Sequence, residues 1–126
     1  MVAKRNLTRK KKAIMNKFEL FTMIFYAIDL YYDENPSELL GRFLSEMSPV
    51  TFAGIGSADS AVYTNFCNFV TGDITIENSY ELALEYINSI KYFDLDLVSI
   101  FKKIDIEQWQ EGCKKYLGTD HKGKEI

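Results

Sequence analysis

The side chains that most often do chemistry are few in this chain and poorly grouped. The single histidine, His121, stands in a polar stretch among Gly, Lys and Asp. A Ser-His-Asp or Cys-His arrangement would need that one imidazole as its base, and nothing in the neighbouring sequence holds it in place. The two cysteines, Cys67 and Cys113, are far apart and belong to no CxxC pair. With one histidine they make no zinc set. Asp94 and Asp96 lack the glycine and terminal glutamate of a calcium loop, and read better as helix caps. Gly54-Ile55-Gly56-Ser57 lacks the Gly-Lys that completes a phosphate loop and the third glycine of a dinucleotide motif. It reads as a loop that needs unusual backbone angles. Asp33 and Glu34 are adjacent, and neighbours on a helix point about 100° apart, which does not suit a carboxylate pair. These residues predict no enzyme, no metal and no cofactor.

Charge is more informative. The net charge is -3 over 126 residues, but it is unevenly spread. Residues 1–17 carry seven bases and no acid, whereas residues 18–101 carry thirteen acids and two bases, Arg42 and Lys91. Within the basic stretch, Arg9-Lys10-Lys11-Lys12 could hold phosphates by charge alone, or could be a solvated tail or fold back on the acidic body. It has no aromatic to stack a base and no reading helix, and the acidic body would repel a duplex. Once the apolar positions are given to a core, Asp33, Glu34, Glu38, Glu46, Asp59, Asp73, Glu77, Glu81 and Glu85 remain for the outside. Such a surface serves solubility. It also suits a basic partner, because complementary charge speeds association. Proteins that handle nucleic acid, nucleases among them, are natural partners of that kind.

The elements that must carry this surface read as helices. Pro and Gly are scarce, at two and seven, and 47% of residues are hydrophobic, enough for one domain with a real core. Residues 1–12 form a basic arm. From Ala13, the residues Ile14, Phe18, Phe21, Phe25, Ile28 and Tyr32 recur at steps of three and four, the spacing of one helical face. Leu20, Ile24 and Ala27 widen that face, so the first helix should sit centrally. Its end is expected at Asp33-Glu34-Asn35, before Pro36.

Asn35 is expected to cap a second helix with Pro36 in its first turn and Leu39, Leu40, Phe43, Leu44 and Met47 inward. Asp59 caps a third helix bearing Val62, Tyr63, Phe66, Phe69 and Val70. Residues 73–77 alternate like a strand, with no evident partner. Asn78 or Ser79 caps a fourth helix, a short fifth runs through Leu95, Leu97, Val98 and Phe101, and Asp105 caps a sixth that Gly118 ends. The prediction is an all-α bundle of five to six helices over residues 13–118, with a polar tail over 119–126.

The apolar run 20–28 is not a signal peptide by its pattern, since Glu19 and Asp29 bracket it and no small-residue cleavage site follows. It is also too short to span a bilayer. The expectation is a cytoplasmic protein without a membrane partner, its two thiols reduced.

One stretch resembles a known family. It comprises Asp29-Leu30-Tyr31-Tyr32, then Ser37-Glu38-Leu39-Leu40-Gly41-Arg42-Phe43-Leu44-Ser45-Glu46-Met47, then Gly56-Ser57-Ala58-Asp59-Ser60-Ala61-Val62-Tyr63 with Phe66. It is similar to small helical immunity proteins of bacterial contact-dependent growth inhibition and related polymorphic-toxin systems. Ser60 stands where that pattern has proline, and Tyr63 where it has tryptophan. The resemblance covers about a third of the chain, residues 28–69, and its motifs are structural. It implies a cytosolic protein that binds and blocks a cognate toxin domain. Two other readings remain at this level: a nucleic-acid-associated regulator acting through the basic arm, and a homo-oligomeric helical module.

Overall fold

A computed structural model describes residues 14–126; the basic arm, residues 1–12, lies outside the described residues. Among the described residues the chain forms six helices and a minimal two-stranded sheet, the all-α architecture that the periodicity predicts. In chain order these are β1 (Ile14–Met15), α1 (Lys17–Glu34), α2 (Glu38–Met47), α3 (Ser60–Phe69), β2 (Ile74–Thr75), α4 (Ile76–Ser89), α5 (Leu97–Phe101) and α6 (Ile106–Leu117).

The long helix α1 is central. Every residue from Phe18 to Phe25 is buried, because neighbours surround it on several sides. It packs against α2, α3, α4 and α5, and α4 packs in turn on α5 and α6. The core is knitted by aromatic edges. Phe21 meets Tyr63 and Phe66, each at 5.1 Å between ring centroids, and Phe66 meets Tyr86 at 4.8 Å. Edge-to-face geometry suits the opposite charges of ring edge and ring face. At the other end, Phe101 meets Trp109 at 5.2 Å, and the Trp109 indole N–H donates to Ser79 Oγ at 2.7 Å.

Several boundaries differ from the sequence expectation, each for a local reason. The helix α1 begins at Lys17, three residues after Ile14. Asn16 caps it in a reciprocal box with Glu19, each side chain bonding the other's backbone N–H. Ile14 therefore leaves the helix face and is 55% exposed. With Met15 it supplies the strand that residues 73–77 lacked: Ile14 pairs with Thr75 and Met15 with Ile74, antiparallel. The cap of α2 is Ser37, not Asn35, since Ser37 Oγ accepts from the Leu40 N–H. Asn35 instead closes α1, its backbone N–H donating to the Tyr31 carbonyl. The cap of α4 is Thr75, earlier than expected, and Asn78, the third residue of the helix, completes its capping box. Asp59, Asp96 and Asp105 do cap α3, α5 and α6. Phe69, expected inward, is 44% exposed.

Residues 119–126 pack onto the body. Asn16 Nδ2 donates to the Gly123 carbonyl at 2.9 Å. Gly123 has φ +89°, and a Cβ there would stand 2.5 Å from the Phe18 ring, so both the backbone and the close approach call for glycine.

Candidate protein-binding surface

The acids singled out from the sequence fall into distinct places. Glu77, Glu81 and Glu85 are all exposed and rise along α4 one turn apart, each about 40° round from the last. Asp73 is exposed just before β2, at the foot of that row. Like charges at four-residue spacing disfavour a helix. The helix dipole favours Glu77 in the first turn but not Glu85 towards the far end, where no base stands in the last turn. Among the described residues, the row takes part in no ion pair.

One turn after Glu85 comes Ser89, which lines a groove of about 350 Å³ between α2, α3, the end of α4 and residues 90–92. Its walls are Phe43, Val62, Phe69, Tyr86 and Ile90, with Glu46 and Asn65 as polar members. Tyr92 also lines it, packed edge-on to Phe43 at 5.1 Å, and among the described residues the Tyr92 hydroxyl has no hydrogen-bond partner. Beyond Tyr92, Phe93 holds a positive φ of 57° and lies under the Arg42 guanidinium at 5.3 Å. Burial pushes the Tyr86 hydroxyl up to about 12, with Cys67 adding to the shift, so that wall of the groove stays neutral.

Glu46 is half-buried at this groove. Its carbonyl accepts from the Asp59 N–H at 2.9 Å, which ties Asp59 to the same region. The Asp59 carboxylate is partly engaged in capping, accepting from the Ala61 N–H. Asp33, Glu34 and Glu38 stand exposed at the corner between α1 and α2, where Glu34 borders a different crevice beside Lys103 and Ile104. There, burial and the Asp33 charge one turn on push the Asp29 carboxyl up. The nine acids therefore divide into the α4 row with Asp73, the Glu46–Asp59 pair beside the groove, and a separate corner cluster.

His121 is placed differently from the sequence expectation. Its Nε2 lies 2.8 Å from Glu19 Oε2 and its Nδ1 lies 2.8 Å from the Thr119 carbonyl oxygen. The ring stacks on Tyr116 at 4.1 Å. It is a fixed structural clasp between the last residues and the start of α1. Both ring nitrogens lie within hydrogen-bonding distance of protein oxygens. The residues Gly54 and Gly56 have φ of +99° and +153°, the unusual angles expected of that loop. Asp96 caps α5 through the Ser99 N–H and hydroxyl. Among the described residues no cluster of three or more His, Cys, Asp or Glu is placed to hold a metal ion, and no helix is long and apolar enough to cross a membrane.

Sequence reasoning missed the groove, because Phe43, Phe69 and Tyr86 read simply as core. A signal was present: between Arg42 and Lys91 the chain has no lysine or arginine, and the α4 row and all of the groove's lining except Tyr92 lie within that interval. Compared with protein-family models, curated proteins and solved structures, the chain matches none.

Proposed function

We propose that this domain is an immunity-type inhibitor that binds and neutralises a cognate toxin domain whose surface is basic. The observation that carries the reading is the row Glu77–Glu81–Glu85, exposed on α4 with no ion pair among the described residues and leading towards an apolar groove. A stretch of like charge on a helix works against that helix. A partner bringing lysines or arginines would remove the repulsion on contact. The groove then offers buried apolar area, which charge alone does not supply, and aromatic walls suited to an anchoring side chain. A nuclease domain is one basic protein of this kind, since its own site must attract phosphate. The resemblance of residues 28–69 to immunity proteins points the same way, and the cytosol is the compartment in which such an inhibitor acts.

The test is affinity capture from the source organism with three immobilised proteins. They are the wild type, the variant Glu77→Lys/Glu81→Lys/Glu85→Lys, and a control reversing Glu107, Glu111 and Glu125. The wild type and the control are expected to retain a basic protein that the α4 variant loses. Equal retention by all three, or no basic protein on the wild type, contradicts the reading.

A further inference from the structure

Most of the groove wall is apolar, formed by Phe43, Val62, Phe69, Tyr86 and Ile90, yet a carboxylate is set into it. Glu46 lines the groove half-buried and takes part in no ion pair among the described residues. A partly buried charge with no partner costs stability. The cation nearest to supplying one is Arg42, one turn earlier on α2. It is exposed and lies 5.3 Å over the Phe93 ring instead, outside the groove lining. Base before acid is also the weaker order for an ion pair along a helix. Both charges stand near the Tyr92 hydroxyl, which burial and Glu46 push up and Arg42 draws down. That hydroxyl is shut from water and has no hydrogen-bond partner among the described residues.

We infer that the groove takes a lysine or arginine side chain of the basic partner, with its aliphatic stem against Phe43, Phe69 and Ile90 and its charged head on Glu46. The inference rests on the reading above and names the side chain within it. The groove itself discriminates among occupants. An apolar anchor would take Glu46 further from water with nothing in exchange. An anion would meet Glu46 in the wall and Glu85, which stands one turn before Ser89. Lysine and arginine suit both halves of the groove, since each carries a charge on a long apolar stem. The Tyr92 hydroxyl stands ready as a donor to the same carboxylate, which would hold Glu46 against the cation. A charge-assisted contact made as the partner closes over it resists dissociation.

The experiment uses the full chain and two kinds of probe. The first is the basic protein retained by the wild type, purified. Its binding kinetics are measured with the wild type, Glu46→Gln, Arg42→Gln and the charge-reversed α4 variant. Glu46→Gln keeps the shape of the side chain and removes its charge. It is expected to weaken binding about 30-fold or more, mainly through faster dissociation, while association keeps most of its salt dependence. It should melt no lower than the wild type, because the carboxylate gives up no partner in the free protein. Arg42→Gln is expected to bind at least as tightly as the wild type. The second probe is n-butylguanidinium, compared with 1-pentanol on the free protein by amide chemical shifts. Butylguanidinium is expected to shift the signals of Phe43, Glu46 and residues 86–92 at lower concentration than pentanol, and Glu46→Gln to remove that preference.

Wild-type affinity in Glu46→Gln, with binding lost in the α4 variant, overturns the occupant and leaves the reading standing. Wild-type kinetics in the α4 variant, or no retained basic protein, removes the reading and the occupant with it. Lower melting in both Glu46→Gln and Arg42→Gln would make Arg42 the partner of Glu46 and overturn the inference, as would no preference for butylguanidinium over pentanol. A wild type that is dimeric by light scattering and a monomeric Glu46→Gln would assign the groove to a second copy of the chain and overturn it as well.

Discussion

Ser79 is fully buried and holds two partners together. Its hydroxyl donates to the Ile76 carbonyl at 2.8 Å and accepts from the Trp109 indole at 2.7 Å. Serine within a helix was read from the sequence as a cap of α4, and the hydroxyl does bond locally. Its larger task is to satisfy the only tryptophan in the chain. The substitution Ser79→Ala strands the indole N–H in the core and should destabilise the fold by about 1–3 kcal/mol in urea unfolding. A matching shift in Trp109 fluorescence should accompany it, and unchanged stability would show that the indole finds another acceptor. His121 teaches the complementary lesson. Its sequence neighbours are polar and unhelpful, while the carboxylate that fixes it lies 102 positions earlier in the chain. No local pattern shows such a partner.

At the scale of elements, apolar spacing located the helices, and small polar residues, Asn, Asp, Ser and Thr, set their starts. Where two caps competed, geometry chose between them. Asn35 and Ser37 both precede α2, and Ser37 prevailed because Asn35 was already committed to closing α1. Likewise Ile14 fitted a helical face, yet Asn16 and Glu19 form a capping box that ends the helix before it, freeing Ile14 and Met15 to pair with β2. The strand β1, two residues long, has no periodicity of its own to read, whereas the alternation over 73–77 did mark β2. The α4 row was legible as individual acids, and its alignment follows from the helix; the groove beside it required three helices to be placed. The loop from Val50 to Ser57 was legible as a loop from its glycines, but the outward direction of Phe52 was not, since phenylalanine in sequence reads as core.

At the scale of the whole molecule, buried hydroxyls and a thiol set a limit at high pH. Burial pushes Tyr86 and Tyr116 up to about 12 from an ordinary value near 10, and Cys113 up to about 12 from 9. The folded state thus keeps these protons where the unfolded chain releases them. Stability from this source is fully present below about pH 9 and is lost as pH rises towards 12. Melting temperature is therefore expected to be level through neutral pH and to fall steeply between about 9 and 12. Tyrosine absorbance should report the buried hydroxyls ionising together with unfolding. Gradual ionisation of all eight tyrosines with no loss of structure would contradict that burial.

The same scale holds the central claim, that an acidic face steers a basic partner onto the domain. Its most direct test is the association rate constant with the captured basic protein, measured by stopped flow from low to physiological salt. A fast rate at low salt that falls steeply as salt rises is expected for the wild type, and a slower, nearly salt-independent rate when Glu77, Glu81 and Glu85 are reversed to lysine. A wild-type rate insensitive to salt, and equal to that of the reversed variant, would contradict it.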